Sequence, residues 1–415
     1  MMRISVSAAV TAMLSLTVCS CACSNDVEKF EKPSSGNGNK PEQETVVYHE
    51  RAKSLFDAIN LFYKLSDGKV AGLYRENYPA QDGDPANSYL WPYDGLVSGV
   101  ADLHALGYDV DYKSFVDRFE VYWAESGKKN IGGYASQTDG TSGNGDRFYD
   151  DNSIVGLDLV EAYNLLKDDT YITRAGRIVK FLKSGFDDTF GGALWWNESL
   201  INVPSDGNSN KPACANGFAT MFLLRYYKIC PVSEKSEVLE FAKSLYSWLV
   251  ENLRDPEDNC YWNDKAANGG TINKTKWTYN SGAMISNGVL LYQITGEKSY
   301  LEQAIATAEG SYNYFVRPDS PLALSYPDHD PWFTIKLVKA YIELLPYHKK
   351  AADYISTFIN NLDYAWTNAR FSNGLFYEDW TGKSQKRASS LLMQDAALES
   401  LGVIALYKGE KLTNE

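Results

Sequence analysis

The chain has 415 residues, 44% hydrophobic and 22% charged, a balance that excludes a wholly disordered protein. Its 53 acidic and 40 basic residues leave a formal charge of −13, which argues against nucleic acid and anionic lipid as partners. The 10 Trp, 29 Tyr and 17 Phe exceed what a core needs and point to an aromatic-lined groove for a neutral polar ligand, aromatic packing between helices being the other use.

The N-terminus reads as a processing signal. Arg3 supplies the positive charge, and Val6 to Val18 is an apolar run too short to span a bilayer. Val18-Cys19-Ser20-Cys21 resembles a bacterial lipobox, with cleavage before Cys21 and lipid on that thiol; Cys23 after Ala22 is the second candidate, and ordinary secretory cleavage the alternative. The polar, Gly/Ser/Pro-rich stretch that follows cannot pack. This predicts a signal peptide at 1–20, a flexible tether at 21–46 and a folded domain at 47–412. The protein would be lipid-anchored in a bacterial cell envelope, at the outer-membrane surface or in the periplasm, with the lipid its sole link to the membrane.

From about residue 47 the pattern is helical. The stripe Phe115, Phe119, Tyr122 and the stripe Leu301, Ala304, Ala308, Tyr312 each have the spacing of a helix with one buried face. Twelve helices are predicted, at about 47–66, 93–107, 111–126, 148–167, 170–184, 211–228, 233–252, 277–295, 298–315, 328–344, 348–369 and 388–409. Short connections alternate with long ones. Each short link makes its neighbours antiparallel, so every long loop falls at the same end of the molecule. The predicted fold is all-α, an (α/α)6 toroid of six helical hairpins with long loops at one end, an open solenoid being the alternative. Segment 388–409 is apolar nearly all round and belongs to an inner layer.

Cys214, Cys230 and Cys260 match no zinc spacing and allow at most one disulfide. His49, His104, His329 and His348 share no ligand spacing, and Asp139, Asn144 and Asp146 lack the regularity of a calcium loop. No metal or other cofactor is expected, and the chain reads as a monomer.

Three Asp-Asp pairs occur. Asp168-Asp169 falls in a short link, as a turn and helix cap. Asp187-Asp188 opens a long loop and reads as shaping it. Asp150-Asp151 opens the helix at 148–167, at the long-loop end, where the helix dipole stabilises first-turn carboxylates by about 0.3–1 kcal/mol each. That structural role alone could account for the pair. The chemical alternative is glycoside hydrolysis, which needs two carboxyl groups about 5–5.5 Å apart for retention or about 6.5–9.5 Å apart for inversion. Consecutive helical residues carry their side chains near the shorter separation. Like charges that close raise one pKa and leave a proton to donate.

Phe148-Tyr149-Asp150-Asp151-Asn152, running into Leu157-Asp158-Leu159-Val160-Glu161-Ala162-Tyr163, resembles the signature of glycoside hydrolase family 76, the endo-α-1,6-mannanases. Three further segments agree in order and spacing: Gly191 to Trp196, Lys211 to Asn216, and Trp277 to Gly282. The resemblance covers most of residues 50–400. It implies an (α/α)6 barrel that cleaves α-1,6-linked mannan with retention, with Asp150 as nucleophile and Asp151 as acid/base. It also places Trp195, Trp196, Lys211, Asn216, Trp277, Tyr279 and Asn280 on the substrate groove. By position in the long loops, Trp91, Asp94, Asp328 and Trp332 join them, with Tyr326 and Trp380 as further candidates. Rival readings are a surface glycan-binding lipoprotein that captures mannan without cutting it, a transglycosylase, and a hydrolase of another α-linked glycan.

Overall fold

The computed structural model describes residues 46–327, 330–384 and 389–412. The predicted leader and lipidation site Cys21, the tether as far as residue 45, and Asp328 lie outside the described residues.

Among the described residues twelve α-helices follow in order: α1 Tyr48–Tyr63, α2 Leu90–Ala105, α3 Tyr112–Asp117, α4 Tyr149–Leu166, α5 Thr170–Gly185, α6 Ala213–Ile229, α7 Lys235–Asn252, α8 Thr278–Thr295, α9 Lys298–Phe315, α10 Pro331–Leu344, α11 Ala351–Asn368 and α12 Leu391–Tyr407. The even-numbered helices pack in sequence, α2 on α4, α4 on α6, and so on to α12, which returns to α2. The ring is closed, so the solenoid alternative falls. The odd-numbered helices form a second layer, each resting on inner helices.

Sequence explains the two layers. Every residue of α6 from Ala213 to Leu224, and of α12 from Gln394 to Ala405, is buried, because an inner helix meets protein on all sides. In α5, by contrast, Tyr171, Ala175, Ile178 and Leu182 form a single buried stripe. The inner helices approach closely at glycine. A Cβ on Gly282 of α8 would lie 2.8 Å from the Leu337 Cα of α10, inside contact distance.

Long connections gather at the N-terminal end of the inner helices and carry short strands that periodicity did not show. The largest group is an antiparallel sheet of Asn210–Pro212, Trp262–Ala266 and Ile272–Lys276. Asn77–Tyr78 pairs with Ser389–Ser390, tying the first long loop to the last.

One predicted helix is corrected. Segment 111–126 is α-helical only to Asp117, then turns as a 3-10 helix through Tyr122. Loop groups take the carbonyls that would have continued it: Thr138 Oγ1 donates to Val121 O and Ala135 N to Tyr122 O. The helices predicted from 211, 328 and 388 begin at Ala213, Pro331 and Leu391. Residues 210–212 are a sheet edge, Pro331 suits a first helical position, and Ser390 caps α12 by accepting from Met393 N.

Candidate active site

The second residue of each inner helix lines one cavity of about 1460 Å³: Trp91 in α2, Asp150 in α4, Cys214 in α6, Tyr279 in α8, Trp332 in α10 and Leu392 in α12. Six-fold repetition of the hairpin brings these side chains to a common centre. Pro92, Asp151 and Phe333, each one residue further on, line it too. The long loops build the walls, with Glu76, Gln137, Asn208, Asn210, Asn263 and Asn273 among them. The cavity exceeds the roughly 300–1,000 Å³ typical of small-molecule sites and suits an oligomer.

Amide side chains hold the inner helices to their loops. Asn152, fourth in α4, accepts from Tyr134 N and donates to Tyr134 O, both at 2.8 Å. Asn216, fourth in α6, does the same to Leu194 at 2.7 and 3.0 Å, and Gln394, fourth in α12, to Phe376 at 2.8 and 3.0 Å. Each satisfies a buried peptide group that would otherwise cost roughly 1–3 kcal/mol.

The start of α4 is pinned from a second side. Tyr149 N donates to Trp196 O, Phe148 bridges Asn197, and Glu198 N donates to Arg147 O. The Arg147 guanidinium reaches both Glu198 carboxylate oxygens at 2.6 Å, and the two side chains are only 4% and 5% exposed. This short pairing delivers Asp150 and the Trp196 indole to the same wall.

Asp150 and Asp151 are half-buried, and their surroundings differ. Burial pushes the Asp150 pKa up, and three donors oppose it: Cys214 Sγ at 3.1 Å and Trp196 Nε1 at 3.0 Å to Oδ2, and Asp151 N at 3.1 Å to Oδ1. For Asp151, burial and the neighbouring Asp150 charge both raise the pKa well above the usual carboxylate range. Both carboxyl pKa values are raised, Asp151 the further, so Asp150 ionises first and Asp151 is the one that keeps its proton, the separation that acid/base catalysis requires.

Aromatic rings from α2, α8 and α10 cluster in the cavity wall around Phe333. Tyr279 stacks on Phe333 at 3.9 Å between centroids, Trp91 stacks on Phe333 at 6.0 Å, and Trp332 meets Trp91 edge-on at 5.2 Å. Trp91, Trp332 and Asn210 line the cavity, while Trp91 Nε1, Trp332 Nε1 and Asn210 Oδ1 are buried without a hydrogen-bond partner.

Among the residues expected in the groove, Trp91, Trp196, Tyr279 and Trp332 line the cavity. Others are corrected. Trp195 is fully buried, and its Nε1 donates to Asp187. The Lys211 ammonium is sealed among Asp187 and the carbonyls of Gly192 and Ala193, so it braces the loop instead of meeting ligand. Asn216 is spent on Leu194. Asp94 is buried inside the ring, close to Asp158 and off the cavity. Asn280 is buried off the cavity, and Trp277 backs Phe333 edge-on at 5.6 Å. Tyr326 and Trp380 line a separate small pocket. Sequence reasoning missed Cys214 and Phe333, although Cys214 lies inside the Lys211–Asn216 segment and Phe333 follows Trp332.

A family model for glycosyl hydrolase family 76 matches residues 47–329. A family 76 mannosidase from Bacteroides thetaiotaomicron VPI-5482 superposes with a TM-score of 0.76 at 23% identity, over 88% of this chain and 99% of that one. The α-1,6-mannanase GH76A of Salegentibacter sp. HEL1_6 gives 0.70 at 25% identity, over 87% and 99%. An inactive variant of that enzyme, with two consecutive aspartates changed to asparagine, has been solved with α-1,6-mannotriose. A mannan endo-1,6-α-mannosidase of Candida glabrata is 28% identical over 135 residues, 31% of this chain and 28% of its own length. The chain spans about a third of the length of the curated relatives it matches.

Proposed function

The chain belongs to glycosyl hydrolase family 76, and from that premise we propose that it cleaves internal α-1,6-mannosidic bonds of mannan with retention. The observation that carries this is the Asp150-Asp151 pair, set in the first turn of α4 at the wall of a large cavity that aromatic rings also line. Asp150, with its charge held by three donors, attacks the anomeric carbon. Asp151, which keeps its proton, delivers it to the departing glycosidic oxygen as the bond breaks. Water then attacks the glycosyl ester, Asp151 takes its proton, and the sugar leaves with its original configuration. The adjacency of the two carboxyls on one helical turn supports retention, since it leaves little room for a water between acid and base.

Trp91 and Trp196, both half-buried at the cavity wall, offer aromatic surface to sugar rings, and Gln137 and Asn208 suit hydroxyls. Asp328 remains a proposed contact from its place in the sequence. The solved complex of the Salegentibacter enzyme with α-1,6-mannotriose and the name of the C. glabrata relative support this substrate class. We place the protein in the cell envelope, anchored through Cys21 by a tether ending near residue 46, on the strength of the leader alone.

The test is Asp150→Asn and Asp151→Asn on unbranched α-1,6-mannan, with products followed by chromatography and the released anomer by NMR. Each should lower kcat at least a thousandfold while leaving the circular dichroism spectrum intact. With an aryl mannoside whose leaving group needs no proton, Asp151→Asn should still release the aryl alcohol and Asp150→Asn should not. Retained cleavage in both variants would overturn the assignment, and mannan binding without oligosaccharide release by the wild type would replace it with a capture function.

A further inference from the structure

The carboxylate of Asp150 is not symmetrically engaged. Its Oδ2 accepts two hydrogen bonds, from Trp196 Nε1 and Cys214 Sγ, whereas Oδ1 accepts one, from Asp151 N. A carboxylate oxygen has two lone pairs. Both lone pairs of Oδ2 are taken, and one of Oδ1 is left to react.

The thiol is the unusual member of this set. A buried cysteine is ordinarily a small apolar filler with a weak donor. Cys214 is 8% exposed and lines the cavity, yet its sulfur lies 3.1 Å from a carboxylate oxygen. Tyr279 lies beside the same thiol. Its ring is clamped by stacking on Phe333 and on Phe218, the latter at 5.9 Å. Tyr279, Cys214 and Asp150 are the second residues of α8, α6 and α4, three successive members of the inner ring, and the thiol bonds to the carboxylate. Burial and the charge of Asp150 hold the thiol pKa well above its ordinary value, so at neutral pH the group is S–H and can only donate to the carboxylate.

We propose that Cys214 is a positioning residue for the nucleophile: it occupies Oδ2 together with Trp196, fixes the carboxylate plane, and leaves Oδ1 as the atom that bonds to the anomeric carbon. The inference rests on the reading of Asp150 as the nucleophile. In the glycosyl ester, Oδ2 becomes the carbonyl oxygen, where the S–H and indole N–H remain as donors. When water displaces the sugar, the electron pair of the Oδ1–carbon bond returns to a carboxylate that is already solvated. The same S–H helps keep Asp150 ionised beside Asp151, since hydrogen bonds to the charged form lower a carboxyl pKa.

The test uses the purified enzyme with Cys214→Ala and Cys214→Ser, with Asp150→Asn as reference. Removing the donor should move the acid limb of the pH profile of kcat/KM upward by about half to one pH unit, so that activity below that limb falls about three- to tenfold. The loss should appear in kcat with KM within about twofold, because the thiol is spent on Asp150 and not on sugar. Serine, a hydroxyl donor, should return the acid limb most of the way to wild type. If Asp150→Asn is inactive and the alanine variant keeps the wild-type acid limb, or if serine behaves as alanine does, the thiol is only filler and the inference fails while the nucleophile assignment stands. If Asp150→Asn retains cleavage, the functional reading itself fails, and that outcome is distinguishable from the first.

Discussion

Glu198→Gln should destabilise the protein by about 3–5 kcal/mol, the usual cost of leaving a buried charge without its partner. The site is closed: the Arg147 side chain is 4% exposed and that of Glu198 is 5% exposed. Arg147 Nε and Nη2 reach Glu198 at 2.8 and 2.6 Å, and Nη1 reaches Ile131 O at 2.7 Å. Glutamine has nearly the same shape but turns an NH2 towards a guanidinium that has only donors. Unfolding entropy of about 2.1 cal/mol/K per residue, over roughly 366 folded residues, amounts to about 0.8 kcal/mol/K, so a loss of 4 kcal/mol lowers Tm by about 5 °C. Because this pair locks the chain that presents both Asp150 and Trp196, kcat should also fall at least tenfold; misplacement by 1 Å can cost about a hundredfold. Urea denaturation followed by circular dichroism gives the stability. A loss below about 1 kcal/mol would mean that water reaches the pair and would refute the reasoning. The double variant Arg147→Met with Glu198→Met should recover to within about 2 kcal/mol of wild type. A double variant as unstable as the single one would show that shape, and not charge, was lost.

The adjacent tryptophans should separate cleanly. Trp195→Phe should cost about 1 kcal/mol of stability through its lost bond to Asp187 and leave KM unchanged, whereas Trp196→Phe should lower kcat through Asp150; denaturation and steady-state kinetics distinguish them. Asp158, pushed up to about 7 chiefly by burial, binds its proton more tightly folded than unfolded. Its contribution is fully present below the unfolded value and is gone once pH has risen through about 7, so Asp158→Asn should flatten the fall in stability between about pH 4 and 7. A wild-type slope in that variant, measured by denaturation across the range, would count against it. Gly282→Ala should cost about 2–3 kcal/mol, because the methyl group meets helix backbone that cannot move aside, while Gly296→Ala, in open space at φ +77°, should cost about 1 kcal/mol. Equal losses by thermal denaturation would contradict the packing argument.

The number of helices, their pairing and the gathering of the long loops at one end could be read from the sequence alone. Helical periodicity and link length are local properties, and alternating short and long links leave little freedom in where the loops fall. The position of Asp150-Asp151 in the first turn of α4 was legible for the same reason. Which neighbour of each motif meets the cavity was not. Trp195 and Trp196 sit on an extended segment whose side chains alternate, and the register is set only when Phe148 bridges Asn197 and Phe186 bridges Leu194. Lys211 looked available for ligand until folding brought Asp187 and two carbonyls, about 20 residues upstream, around its ammonium. Cys214 matched no spacing rule, and its meaning comes from Asp150, 64 residues away in the chain. Periodicity along a helix settles which elements form, but the partner of a polar side chain is chosen by ring closure, which sets together residues that no local pattern relates.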